Sequence, residues 1–205
     1  MNRSVRLSSL ALVLVLFALY LAAGTRPAHA AALTYPGTAP CDTTLQACID
    51  GAADASTIDI VTDGPIAEEL FIDDQSVTLE AGAGFHPVIQ GEFDVYVGVS
   101  GTGAAVAVDG IHFEDGFLYI RFQGGTGNSF RMEHSILDHD ENGASGVVME
   151  LGVPSTEIIR DNILRSSGDV VSAYTSGSVA GTQSVVVTGN EITTNNPANS
   201  GAGVV

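Results

Sequence analysis

Four eight-residue phrases recur along the second half of the chain: VAVDGIHF (106–113), FRMEHSIL (130–137), EIIRDNIL (157–164) and VVVTGNEI (185–192). Stacked without gaps, they put Val108, Met132, Ile159 and Val187 in the third column and Phe113, Leu137, Leu164 and Ile192 in the last. Successive copies start 24, 27 and 28 residues apart. A unit this short cannot bury its own apolar face and must stack on its neighbours, which is the mark of a solenoid. The first column reads Val106, Phe130, Glu157 and Val185, with Glu157 its one misfit.

Within each copy the apolar positions alternate and then skip, as two short strands meeting at a bend require. The bend column holds Ile111, Ser135, Asn162 and Asn190. Inward polar residues survive there only if the coils above and below satisfy their hydrogen bonds, so Asn162 and Asn190 are expected to form a structural ladder. A glycine and a further apolar strand follow each copy: Gly116 before FLYI, Gly146 before VVMEL, Gly168 before DVVSAY and Gly203 before VV. One coil is therefore strand, bend, strand, turn and returning strand. Upstream, TIDIV (57–61), SVTLEAGAGFHPVIQG (76–91) and FDVYVGV (93–99) alternate in the same way and read as looser coils.

The first thirty residues belong to something else. Arg3 and Arg6 precede an apolar run from Leu10 to Leu21 and an Ala28-His29-Ala30 pattern, the anatomy of a secretory signal peptide. The run is shorter than the roughly 20 residues that span a bilayer, and no later segment is long and apolar enough to span one. Cleavage would remove three of the seven basic residues and no acid, leaving 4 − 24 = −20. With no lysine in the chain, that balance excludes phosphate neutralisation on nucleic acid and attraction to an anionic membrane. It suits divalent cation binding or plain solubility.

An exported chain matures where disulfides persist, and the two cysteines, Cys41 and Cys48, fall in CDTTLQACID. Inside one helix they would stand about 10 Å apart at 1.5 Å per residue, beyond disulfide reach. If they are bridged, Cys41 precedes the helix and folds back. Thr43 and Gln46 have capping-box spacing, and Leu45, Cys48, Ile49 and Ala52 follow at helical intervals. The expectation is a short amphipathic helix over 43–53 that caps the first coil, whose strand edges would otherwise invite aggregation.

These residues carry a resemblance. The run CDTTLQACIDGAADASTIDIV, then VTLEAGAGFHPVIQG and the V-x-G-N-x-I rungs, resembles the secreted right-handed parallel β-helix proteins of the pectin-lyase-like superfamily. Its first stretch is similar to the Cys-x-Leu-Arg-Glu-Ala-Ile type of bacterial N-terminal cap, reduced here to Leu45-Gln46-Ala47-Cys48-Ile49. The resemblance implies an all-β fold, a right-handed parallel β-helix with a short N-terminal capping α-helix. The expected organisation is a signal peptide (1–30), a capping segment (31–56) and β-helix coils (57–205). The chain stops at SGAGVV in the strand after a bend, so further C-terminal coils or domains are expected.

Function is less sharply written, since the superfamily hosts lyases, hydrolases, adhesins and proteins without known chemistry. Past the last apolar column, Glu114, Asp138, Arg165 and Thr193 align, then Asp115, His139, Ser166 and Thr194, with Asp140 one step on. Coils about 4.8 Å apart would gather Glu114, Asp115, Asp138 and Asp140 into one acidic patch. One reading is a Ca2+ site, either between turns or in a polysaccharide lyase whose metal neutralises a uronate while Arg165 or His139 takes its proton. The resemblance lends calcium and an arginine to that reading, but no lyase or polygalacturonase signature matches residue by residue. The other reading is solvated turn decoration. On balance the sequence points to an exported or cell-surface binding and scaffold module whose natural partner is a polysaccharide or cell-surface glycan.

Overall fold

The computed structural model describes residues 32–139, 146–176 and 181–194. The expected signal peptide and the strand after Gly203 lie outside the described residues. Strand β1 (Ala32–Tyr35) comes first, followed by helix α1 (Leu45–Gly51). About six coils then stack in order. The first is β2 (Ser56–Ile60), β3 (Pro65–Ile66) and β4 (Leu70–Asp73), and the second is β5 (Val77–Ala81), β6 (Val88–Gln90) and β7 (Phe93–Val97). The third comprises β8 (Ala105–Asp109), β9 (His112–Glu114) and β10 (Leu118–Phe122). The fourth comprises β11 (Asn128–Glu133), β12 (Ile136–His139) and β13 (Val147–Leu151). The fifth is β14 (Ser155–Arg160), β15 (Ile163–Ser166) and β16 (Val171–Tyr174), and the sixth is β17 (Ser184–Thr188) and β18 (Glu191–Thr194).

Corresponding strands pair in parallel to give three sheets. The first runs β1-β2-β5-β8-β11-β14-β17, the second β3-β6-β9-β12-β15-β18 and the third β4-β7-β10-β13-β16. The protein is thus an all-β parallel β-solenoid with one described helix. Register follows the repeat read from the sequence: Val108, Met132, Ile159 and Val187 are lateral neighbours, as are Phe113, Leu137, Leu164 and Ile192. The misfit is in register too, with Glu157 between Phe130 and Val185.

Alternation explains the packing, because every second side chain of a strand points the same way. In β7 this buries Phe93, Val95 and Val97 and turns Asp94 and Tyr96 outward. The bend between the first and second sheets holds a left-handed residue in the third to sixth coils, Gly110, His134, Asp161 and Gly189 at φ 70°, 49°, 57° and 67°. At the turn into the third sheet, a Cβ on Gly116 would overlap the Gly91 carbonyl, so successive coils can close up only over glycine.

Behind that bend, Asn162 takes Ser135 N–H on its Oδ1 at 2.9 Å and donates to Met132 O at 3.0 Å. Asn190 repeats the pattern one coil on, accepting from Asn162 N–H at 2.9 Å and donating to Ile159 O at 2.8 Å. Each asparagine thereby satisfies buried backbone groups that a strand ladder cannot reach at a corner.

The cap differs in detail from expectation. Helix α1 starts at Leu45, and its N-cap is Thr44, whose Oγ1 accepts from Ala47 N–H at 3.0 Å. Gln46 therefore closes no capping box with Thr43. The Glu68 carboxylate from the first coil takes over the helix N-terminus, accepting from Leu45 N–H at 3.1 Å and Gln46 N–H at 2.9 Å. Leu45, Cys48 and Ile49 are fully buried against the coil. Cys41 precedes the helix and is bridged to Cys48, with the two Cα atoms 4.2 Å apart. No described helix is long and apolar enough to cross a membrane.

Candidate functional site

Three groups of chemically capable side chains occupy three faces of the solenoid. On the second sheet, Glu114, Asp138 and Arg165 form one lateral column. Its members are already engaged: Glu114 accepts from Gln90 at 2.6 Å, and Asp138 accepts from Arg165 at 3.2 Å. Asp115 sits in the turn beyond at φ 59°, exposed, and Asp140 lies outside the described residues. His139 is paired with Ser166 but faces the interior at 1 % exposure, edge-on to Phe117 with ring centroids 6.3 Å apart. Alternation therefore separates it from Asp138 and Arg165, and it does not join the acidic patch. With a guanidinium at one end and an amide at the other, the described column is a lateral bonding ladder. It does not assemble the six or more oxygen ligands of a Ca2+ cage.

Along the first sheet runs a column the sequence reading missed, Asp59, Glu80, Asp109, Glu133 and Arg160 on successive coils. Its hydrogen bond with Asp59, followed by burial, raises the Glu80 carboxyl above its ordinary range. Donor atoms of Asp109, Glu133 and His134 all lie within 4.8 Å of one another, the spacing of a metal triad. Charge argues against that use. Arg160 reaches Glu133 at 2.6 Å, Arg131 lies 3.9 Å from it, and the imidazole meets Asp109 at 2.8 Å. That bond to Asp109 raises the His134 pKa and so favours imidazolium, which is no ligand. The triad's donor atoms are thus already engaged by one another and by the flanking Arg160 and Arg131.

The third sheet presents a different surface. One outward column is Phe71, Asp94, Tyr119, Val148 and Ser172; the next is Asp73, Tyr96, Arg121, Glu150 and Tyr174. Phe71 stacks on Tyr96 with centroids 6.5 Å apart, and Arg121 lies 5.3 Å from the Tyr96 centroid and 4.5 Å from that of Tyr119. Glu150 anchors the centre. It accepts from Tyr119 Oη at 2.8 Å and Gln123 Nε2 at 3.2 Å, and lies 3.7 Å from Arg121 Nε. The Tyr119 bond leads in holding its carboxyl below the ordinary range. Tyr119 and Tyr174 hydroxyls meet at 3.1 Å, and burial first of all raises the Tyr119 phenol. Asp94 moves the other way, pushed up by burial, and its Oδ1 has no hydrogen-bond partner.

The rings are held rigid in the middle and open at the ends, where Phe71 and Tyr174 are 44 % and 46 % exposed. Two exposed rings, Phe71 and Tyr174, and two half-buried ones, Tyr96 and Tyr119, thus share a face with the Arg121 cation and the hydrogen-bonded Glu150 carboxylate, a surface apolar in its ring faces and polar at its edges. Its sequence signal was the outward positions of FDVYV, LYIRF, VVMEL and VSAY, read as strands but not for the side chains they expose.

Comparison with known proteins returns no family model, curated protein or solved structure that matches this chain. The fold and the platform therefore define the class on their own: a disulfide-capped parallel β-solenoid with one aromatic face.

Proposed function

We propose that this chain is a carbohydrate-binding module of an exported or cell-surface β-solenoid, which lays a glycan over the outer face of the third sheet. The observation that carries the reading is the row Phe71, Tyr96, Tyr119 and Tyr174 on one face with Arg121, Glu150 and Gln123 between the rings. Sugar rings offer apolar C–H faces for stacking and hydroxyl edges for hydrogen bonds, and such a platform answers both. Export through residues 1–30 is part of the proposal, supported by the Cys41–Cys48 bridge, since disulfides persist outside reducing compartments. Kinship with the pectin-lyase-like proteins belongs to the same reading and rests on the cap and rung motifs.

Affinity electrophoresis against a panel of soluble polysaccharides tests it. At least one should retard the native chain, and Phe71→Ala or Tyr96→Ala should weaken retention about tenfold, the effect of losing a ring contact of about 1.4 kcal/mol. Retention that survives both substitutions would place binding elsewhere.

A further inference from the structure

The platform's charge and length narrow its ligand. Asp73, Asp94 and Glu150 share the face with a single guanidinium, in a chain of formal charge −17. That guanidinium is committed: Arg121 lies over two tyrosine rings and beside Glu150. A uronate chain on this surface would bring carboxylates onto carboxylates, with no uncommitted cation among the described residues of the face to meet them.

Asp94 offers the opposite. Phe71 and Tyr119 are its lateral neighbours on either side, so an ammonium placed against the carboxylate also meets aromatic side chains, the two elements that recognise a desolvated cation. Arg121 already shows that the Tyr96 and Tyr119 faces accept positive charge. The rings recur along the axis from β4 to β16, four coil steps of about 4.8 Å or about 19 Å in all, too long for one sugar.

Granted the glycan-binding reading above, we infer that the ligand is an extended amino-sugar polymer lying along the solenoid axis, with a protonated amine against Asp94 between Phe71 and Tyr119.

Calorimetry on the full chain would compare a glucosamine hexamer, the N-acetylated hexamer and a galacturonate hexamer, at about 0.15 M ionic strength to screen long-range attraction. The free-amine hexamer should bind about tenfold tighter than the acetylated one, as expected for one partly desolvated cation contact. Galacturonate should not bind. Asp94→Asn should abolish the preference, bringing the free-amine hexamer down to the acetylated hexamer's affinity for the same variant, and a glucosamine dimer should bind far more weakly than the hexamer. Glu191→Gln, an equal charge change on the second sheet, should alter nothing. Equal affinity for the amine and acetylated chains, tighter binding of galacturonate, or the same loss from Glu191→Gln overturns the inference but leaves a glycan binder. If no hexamer binds and the polysaccharide panel is also blank, the glycan reading falls and takes the inference with it.

Discussion

The first coil packs Ile58, Ile60, Ile66, Leu70 and Ile72 inward, whereas the fifth packs Ser155, Glu157 and Asn162 beside Ile159, Leu164 and Val171. Both share the same backbone plan, so their strand ladders are equivalent and the difference lies in how the interior is satisfied. In the first coil, apolar burial dominates, with the small Ser56 hydroxyl the one buried side-chain oxygen left without a hydrogen bond, and the helix α1 closes the end. In the fifth, Asn162 is fully bonded through its neighbours, but both Glu157 oxygens are buried without a hydrogen bond. A stacked repeat can therefore admit an interior polar side chain wherever the next coil supplies its partner, and it registers a cost where none is supplied.

The sharpest way to break this comparison is Asn162→Ala. It orphans Ser135 N–H and Met132 O, both behind the bend, and removes the contact to Asn190. At about 1–3 kcal/mol for each buried group left unsatisfied, the loss should be roughly 2–5 kcal/mol in urea unfolding. Hydrogen exchange should speed up first at Ser135 and Ile163. A change no larger than that of a surface substitution would mean that the ladder contributes nothing.

Next in size is the ionisation of Glu157. Burial raises its carboxyl from 4.5 to about 7. A folded pKa above the unfolded one means that the folded state holds its proton longer. The stability is therefore complete below pH about 4.5 and is lost as pH rises through about 7. A shift of this size corresponds to about 3 kcal/mol. Glu80, Asp94, Glu150 and His134 also titrate differently on folding, so the measurement is the difference between the native chain and Glu157→Gln. That difference should favour the native chain progressively less from pH 4.5 to pH 8, and a flat difference would show that the carboxyl reaches water.

These two positions also show how far the sequence could be read. Asn162 and Glu157 were both visible as columns, because the eight-residue phrases align without gaps across the first bend and fix which side chains face inward. The third sheet was not legible in the same way. Its strands follow connections of unequal length, 91–92 in the second coil, 115–117 in the third and 167–170 in the fifth, so Tyr96, Arg121 and Glu150 become neighbours only when the coils close. Attention to acidic turns also favoured Asp138 and Arg165 over the outward residues of strands already recognised. His139 was misplaced for a simpler reason: the alternation that turns Asp138 outward turns the next residue in.

The smallest effect probes the capped end. Strand β4 is the edge of the third sheet, and Gln46 covers part of that edge. Its Oε1 accepts from Phe71 N–H at 2.7 Å, and its Nε2 donates to Phe71 O at 2.9 Å, so one side-chain amide imitates the peptide of a neighbouring strand. The bonds are exposed, and water can replace them, so Gln46→Ala should lower stability by only about 1 kcal/mol. The larger consequence is kinetic and local. Exchange at the Phe71 amide should accelerate, and an uncovered parallel edge next to an exposed ring should self-associate at high concentration, visible in sedimentation velocity. A variant that stays monomeric with Phe71 still protected would show that the disulfide-held helix alone blunts the edge, and that the amide only fills in behind it.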